Sequence, residues 1–310
     1  MLNKKKVFIP VFFLLLTAGF AQSQQKEPVY KLGPQLIPVQ DTVIPFHYKS
    51  PRNLVTTCNN SDFYTGTFNN WIGCYGTFSG NPPTVPIVFL PCQTAGFNAT
   101  RHVIMPLVNQ TYDALIGSPL TTVFAGETHS ARLGDVTGGG HAEQLKFNVT
   151  VGQNNYLFVY RWASVLESYN HIESMMPRFT LQVQDLSGNP LGGTCGYYEY
   201  TAPSCAPPSP TCVVPPEWIY KVAAGNVKLY WHDWTTVALD LTPFQALGTV
   251  QIVFTTRGCS QQAHRGYAYI STYCSAITIQ TSLCEGATQA ILTAPPGFST
   301  YLWSTGETTP

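Results

Sequence analysis

The chain has 310 residues, 16 basic and 16 acidic, and only 10% of its residues are charged. Charge so sparse, with no basic block beyond residues 4–6, excludes the clustered Lys and Arg that nucleic-acid phosphates demand. Its 25 glycines and 24 prolines beside 44% apolar residues suit a core of short strands parted by turns.

At the N-terminus Lys4-Lys5-Lys6 precede the apolar run Val7 to Phe20, and Ala21-Gln22-Ser23 supplies small residues suited to cleavage. Residues 1–23 therefore read as a secretory signal peptide. The run contains Pro10 and falls short of the ~20 residues a spanning helix needs. No Cys follows it, so a lipoprotein anchor is not expected there, and no later stretch is apolar enough to span a bilayer. The expected mature chain is exported and mildly acidic. Residues 24–52, rich in Pro and Gln, read as an extended leader.

From Asn53 short apolar runs recur between turn signals: Asn53–Thr57, Trp71–Phe78, Arg101–Pro106 and Ser130–Asp135. Then come three central strands. Leu145, Phe147, Val149 and Val151 alternate with polar residues, as do Phe179, Leu181 and Val183, so each of these strands has one apolar face. Between them Tyr156 to Leu166 is apolar apart from Arg161 and Ser164, which reads as a strand covered on both faces. Gly196–Tyr200, Lys228–Tyr230, Trp234–Leu241, Val250–Thr256 and Tyr267–Tyr273 complete the set, with one short helix at Leu241–Leu247. The pattern predicts an all-β protein, an antiparallel β-sandwich over residues 53–281.

Nine cysteines in an exported chain imply disulfides. Cys58, Cys74, Cys92, Cys195, Cys205, Cys212, Cys259 and Cys274 lie in the sandwich region. Cys284 lies beyond it, where Ala287–Ala294 and Thr300–Trp303 look like the first strands of a further small β domain. Its partner is expected in a longer chain. Proximity favours Cys205–Cys212 and Cys259–Cys274. No CxxC or histidine pair at ligand spacing accompanies the cysteines, so none is assigned to a metal.

Residues 282–310, through Leu283-Cys284-Glu285-Gly286, Leu292-Thr293-Ala294-Pro295 and Tyr301 to Thr309, resemble the start of an Ig-like or PKD-like repeat of Bacteroidetes surface proteins. Such proteins often end in a gliding-motility-associated, type IX secretion sorting domain. The body is similar to the jelly-roll, galactose-binding-like domain they carry at the N-terminus. The shared phrases are Ser130 to Gly134, Pro177-Arg178-Phe179, Cys195-Gly196, Trp234 to Leu241 and Gly266 to Ile270. The resemblance implies cell-surface exposure, downstream domains, a non-catalytic adhesin or carbohydrate-binding role and sometimes a structural calcium ion. Asp62 fits one place for calcium, near the first strand; the last strand reads Ile270-Ser271 where a second acid commonly stands.

Several residues could carry chemistry. A pair drawn from Glu143, Glu167, Glu173 and Asp185 could hydrolyse glycosides if both faced one cleft, although carboxylates at strand ends more often pair with arginine. The loop Glu167–Arg178 mixes Tyr169, His171 and Glu173, the residue types of a sugar or ion site. His102, His141 and His264 could join it around a metal, but no ligand spacing supports that. Gly76-Thr77-Phe78-Ser79-Gly80 has the wrong spacing for a nucleophile elbow, and Gly138-Gly139-Gly140 is a turn rather than a phosphate cradle. Tyr197, Tyr198 and Tyr200, with Tyr230, Trp231 and Trp234, could offer flat faces to sugar rings. Tyr197 and Tyr198 point to opposite faces, so at least one is expected outside. The expected ligand set is Tyr169, His171, Glu173, Tyr198 and Trp231. The expected function is non-catalytic binding of glycan or another surface ligand; the alternatives are a structural spacer presenting later repeats, or a glycoside hydrolase.

Overall fold

The computed structural model describes residues 58–282 apart from 79–86, 91, 93–95, 109–110, 153–155, 169–170, 194–195, 206, 208, 210 and 277–279. It also describes 291–309 apart from 296, 299, 302, 304 and 305. The expected signal peptide and leader, the strand expected at Asn53–Thr57, Tyr169, Cys195 and Cys284 lie outside the described residues.

Two six-stranded antiparallel sheets face each other. The first runs, edge to edge, β10 (Tyr197–Thr201), β9 (Arg178–Gln184), β13 (Thr249–Arg257), β7 (His141–Thr150), β1 (Trp71–Thr77) and β2 (Val88–Phe89). The second runs β11 (Ile219–Ala223), β12 (Val227–Asp240), β8 (Leu157–Glu167), β14 (Gly266–Ser275), β6 (His129–Leu133) and β3 (His102–Pro106). Two small pairs stand apart, β4 (Tyr112–Asp113) with β5 (Gly117–Thr121), and β15 (Gln280–Ser282) with β16 (Ile291–Thr293).

The core follows the alternation. Leu145, Phe147 and Val149 of β7, Phe179, Leu181 and Val183 of β9, and Val250, Ile252 and Phe254 of β13 meet Phe158, Tyr160 and Trp162 of β8. Every residue of β8 is buried, Arg161, Ser164 and Glu167 included, as a strand covered on both faces requires. Its second face is closed by the β4–β5 hairpin, whose Ile116 and Leu120 pack with Ala163, Val165, Trp231, Tyr267 and Tyr269. Asp113 fixes that hairpin. One oxygen accepts from the Leu115 and Ile116 N–H groups at 2.8 and 2.7 Å, and the other from the Tyr267 and Tyr269 hydroxyls, each at 2.8 Å.

The runs predicted at Lys228–Tyr230 and Trp234–Leu241 are one strand, β12, whose register shifts between His232 and Thr235. An irregularity of this kind inserts residues without ending the strand, which breaks the alternation on which a sequence reading depends. The short helix is a 3-10 segment, Thr242–Leu247.

Disulfides join Cys58 to Cys274, Cys74 to Cys92 and Cys205 to Cys212. The expected Cys259–Cys274 pair does not form. Cys259 precedes β14 and Cys274 lies near its far end, so at ~3.3 Å per residue the strand itself holds them more than ~25 Å apart. Cys259 is a buried free thiol.

Candidate functional site

Because one set of side chains on the first sheet fills the core, the other set faces away from it. Register aligns Tyr197, Gln182, Val253, Lys146 and Ile72 in one outward row. Glu199, Thr180, Thr255 and Gln144 form the next, and Gln184, Gln251 and Asn148 flank the first on its other side. The amides are knitted across strands: Gln144 Nε2 donates to Thr255 Oγ1 at 3.1 Å and Gln251 Nε2 to Asn148 Oδ1 at 2.9 Å. Val253 at the centre is 1% exposed, while the glutamines and threonines around it are half-buried and Tyr197 at the edge is 41% exposed. Burial lowers the affinity of the Lys146 amine for its proton.

One end of this face carries charge. The Tyr197 hydroxyl donates to Glu199, which also takes Arg178 Nη1 at 2.5 Å. Burial, then the bond to Glu199, pushes the Tyr197 phenol up to about 12. Arg178 donates to the Glu173 carbonyl at 2.8 Å, and Arg257 to the Ser174 carbonyl at 3.1 Å while lying 3.8 Å over the Phe78 ring. The two arginines thus fasten the β8–β9 crossover loop to the end of the face. Glu173 contributes its backbone to this contact, and its side chain is exposed.

His171 of the same loop meets His264 of the β13–β14 turn, with Nε2 and Nδ1 3.2 Å apart, and the His264 N–H donates to the Cys259 sulfur at 3.4 Å. One ligand atom from each of the three lies within 4.8 Å of the others. Burial is the main cause that lowers the His264 pKa, with Glu167 opposing it. The other histidines do not converge here. His102 is buried between the Asn98 amide and the Gln144 carbonyl, each at 3.1 Å, and His141 pairs with Asp135 at 2.9 Å.

Two expected ligand residues are turned inward. Trp231 is 4% exposed beneath the β4–β5 hairpin, because it stands opposite Val165 on the face that the hairpin seals. Tyr198 stands opposite the core residue Leu181 and meets the Tyr160 ring edge-on at 6.4 Å. Its neighbour Tyr197 is the outward tyrosine. Asp62 accepts the Tyr64 N–H at 3.2 Å and belongs to no group of three potential ligands among the described residues. Nearby, between Glu127 and the last strand, the cation is Arg161. It pairs with Glu127, which also takes the Ser271 hydroxyl, and lies between the Phe124 and Tyr273 rings at 4.5 and 4.8 Å.

The carboxylates considered for hydrolysis are engaged separately. Glu143, 1% exposed, lies 3.5 Å from Arg101 and accepts the Thr256 hydroxyl at 3.2 Å. Burial raises it to about 8 against the pull of Arg101. Glu167 pairs with Arg265 at 2.7 Å. Asp185, beyond the far end of β9, closes its own turn by accepting from Ser187 and Asn189, and the Asn189 amide is the first cause holding its pKa low.

No protein-family model and no curated protein matches the chain. Among solved structures it is similar to TmCBM61 in complex with beta-1,4-galactotriose, at 11% identity and TM-score 0.35 over 70% of this chain and 97% of that one. It is also similar to the enzymatically active domain of bacteriophage CBA120 tailspike protein 4, at 10% identity and TM-score 0.32 over 69% and 21%. A third structure, of carbohydrate-binding modules from the beta-sandwich superfamily, aligns at 10% identity and TM-score 0.30 over 68% and 60%. Scores this low leave the functional reading to the chain's own geometry.

Proposed function

We propose that the chain is a non-catalytic glycan-binding module and that the outer face of its first sheet takes the ligand. One observation carries this reading: a register-aligned array of amide and hydroxyl side chains bordered by the exposed Tyr197. Sugar hydroxyls both donate and accept, and Gln and Asn amides offer both functions. A tyrosine ring receives the apolar C–H face of a pyranose. Strands hold such groups in fixed positions, which reduces the ordering cost of binding. His171 and Glu173 would border the charged end of this face. Hydrolysis is disfavoured because Glu143 and Glu167 each turn to their own arginine.

Three disulfides among the described residues fit an oxidising, extracellular location. No described helix is long and apolar enough to cross a membrane. In this reading a signal peptide exports the chain, residues 53–281 form the binding module, and residues 282–310 begin a repeat that presents it at the cell surface. The finer attribution, to type IX-secreted Bacteroidetes proteins, stands on the resemblance of that tail.

The test is a glycan array probed with the purified, oxidised chain. Saturable binding to one glycan class is expected, weakened ~10-fold or more, about 1.4 kcal/mol, by Tyr197→Ala and by Gln182→Ala. Tyr198→Phe should leave it intact. A blank array with folded protein, or binding indifferent to both alanine variants, would move the function to a spacer or the site to another surface.

A further inference from the structure

Two loops at the Arg178 end of the sandwich bring together three side chains that lie outside the amide and hydroxyl array of the glycan face. His171 comes from the β8–β9 crossover, and Cys259 and His264 from the turn between β13 and β14. The turn is built before any ligand arrives. Cys259 N donates to the His264 carbonyl and Gln262 N to the Cys259 carbonyl, both at 3.1 Å. Ser260 N reaches across to the Met175 carbonyl at 3.2 Å, so the two loops are already docked.

The spacing suits a tetrahedral ion. Zinc bonds of ~2.0–2.1 Å to nitrogen and ~2.3 Å to sulfur place two nitrogens ~3.3 Å apart and nitrogen and sulfur ~3.6 Å apart. The two imidazole nitrogens are 3.2 Å apart. With all three ligand atoms inside 4.8 Å, a nitrogen–sulfur pair needs to close by no more than ~1.2 Å. A thiol with two imidazoles is also a softer donor set than Ca²⁺ or Mg²⁺ would select.

We propose that His171, Cys259 and His264 form a site for a divalent transition-metal ion of the zinc type, with a fourth position open to water or an anionic group. Binding forms one metal–sulfur and two metal–nitrogen bonds. It breaks the S–H bond and the imidazole–imidazole hydrogen bond, and the thiol proton leaves to solvent. The ion would hold Cys259 as a thiolate in an environment where unpaired thiols are otherwise oxidised. It would also staple the crossover loop to the β13–β14 turn, joining His171 to His264 across 93 residues of sequence.

The test uses the full, oxidised chain, stripped with chelator and titrated with Zn²⁺ and separately with Co²⁺. One equivalent should bind, and cobalt should give a thiolate charge-transfer band in the near ultraviolet. Cys259→Ser should abolish the band, and His171→Gln, made on a half-buried loop position that the core does not need, should weaken metal binding ~100-fold or more. Far-ultraviolet circular dichroism checks that both variants fold. No charge-transfer band in the folded wild type, metal uptake unchanged in both variants (an adventitious ion only), or peptide mapping that finds Cys259 in a disulfide would each overturn the site.

Discussion

Glu143 occupies a core-side position at the start of β7, where burial outweighs the attraction of Arg101 and raises its pKa from 4.5 to about 8. The folded chain therefore holds a proton there that the unfolded chain has released. A carboxyl shifted upward favours the fold fully below 4.5, and that contribution is lost as pH rises through about 8. Glu143→Gln should match wild type near pH 4 and melt higher near pH 9, the gap opening by up to ~1.4 kcal/mol per pH unit in between. A gap that stays constant across this range would mean that Glu143 is ionised beside Arg101 throughout. At this scale sequence reading reached parity and stopped there. It separates Tyr197 from Tyr198, but which of them faces out depends on Tyr198 standing opposite Leu181 in β9. Cys259 and His264, with four residues between them, match none of the ligand spacings sought in the sequence. Their partner His171 lies on another loop, and only the docking of the two loops brings it within 3.2 Å.

The β4–β5 hairpin decides which face of the second sheet is available. Its strands are too short to show periodicity, the first only two residues long, so nothing in the sequence marked it as a cover over Trp231. Asp113 ties it to β14 by accepting from two tyrosine hydroxyls, beside the packing of Ile116 and Leu120. Replacing it by Ala leaves two buried tyrosine hydroxyls and two backbone N–H groups without their acceptor. The expected loss is ~3 kcal/mol or more by denaturant unfolding, and Asp113→Asn, which keeps an acceptor oxygen, should lose less. Equal stability of the alanine variant would show the hairpin to be held by Ile116 and Leu120 alone. The long strands were far more legible, since β9 carries an alternation that burial reproduces residue by residue and β7 does so from Glu143 onward.

Across the whole molecule, fold class was legible because a run like β8, apolar on both faces, requires two covering layers, and the chain supplies a facing sheet on one side and a hairpin on the other. Covalent connectivity was not, because pairing depends on which strand ends meet. Cys58 and Cys274 are 216 residues apart in sequence. A cross-link closing so long a loop restricts the unfolded chain by ~5 kcal/mol or a little more in the chain-entropy description. The double variant Cys58→Ser/Cys274→Ser should therefore unfold at markedly lower denaturant than wild type, whereas removal of the short Cys205–Cys212 loop should cost less. Similar midpoints for the two variants would contradict that ranking.

The same bridge also sets a path for tension. Cys58 stands before the first strand of the sandwich and Cys274 near the end of β14, its last. A pull between the chain preceding Cys58 and the chain following Cys274 runs from one sulfur to the other. Every residue in between, both six-stranded sheets and the proposed binding face included, hangs as a side loop outside the line of force. A ligand held on that face would load the sandwich, but a tug along the polypeptide that tethers it would not.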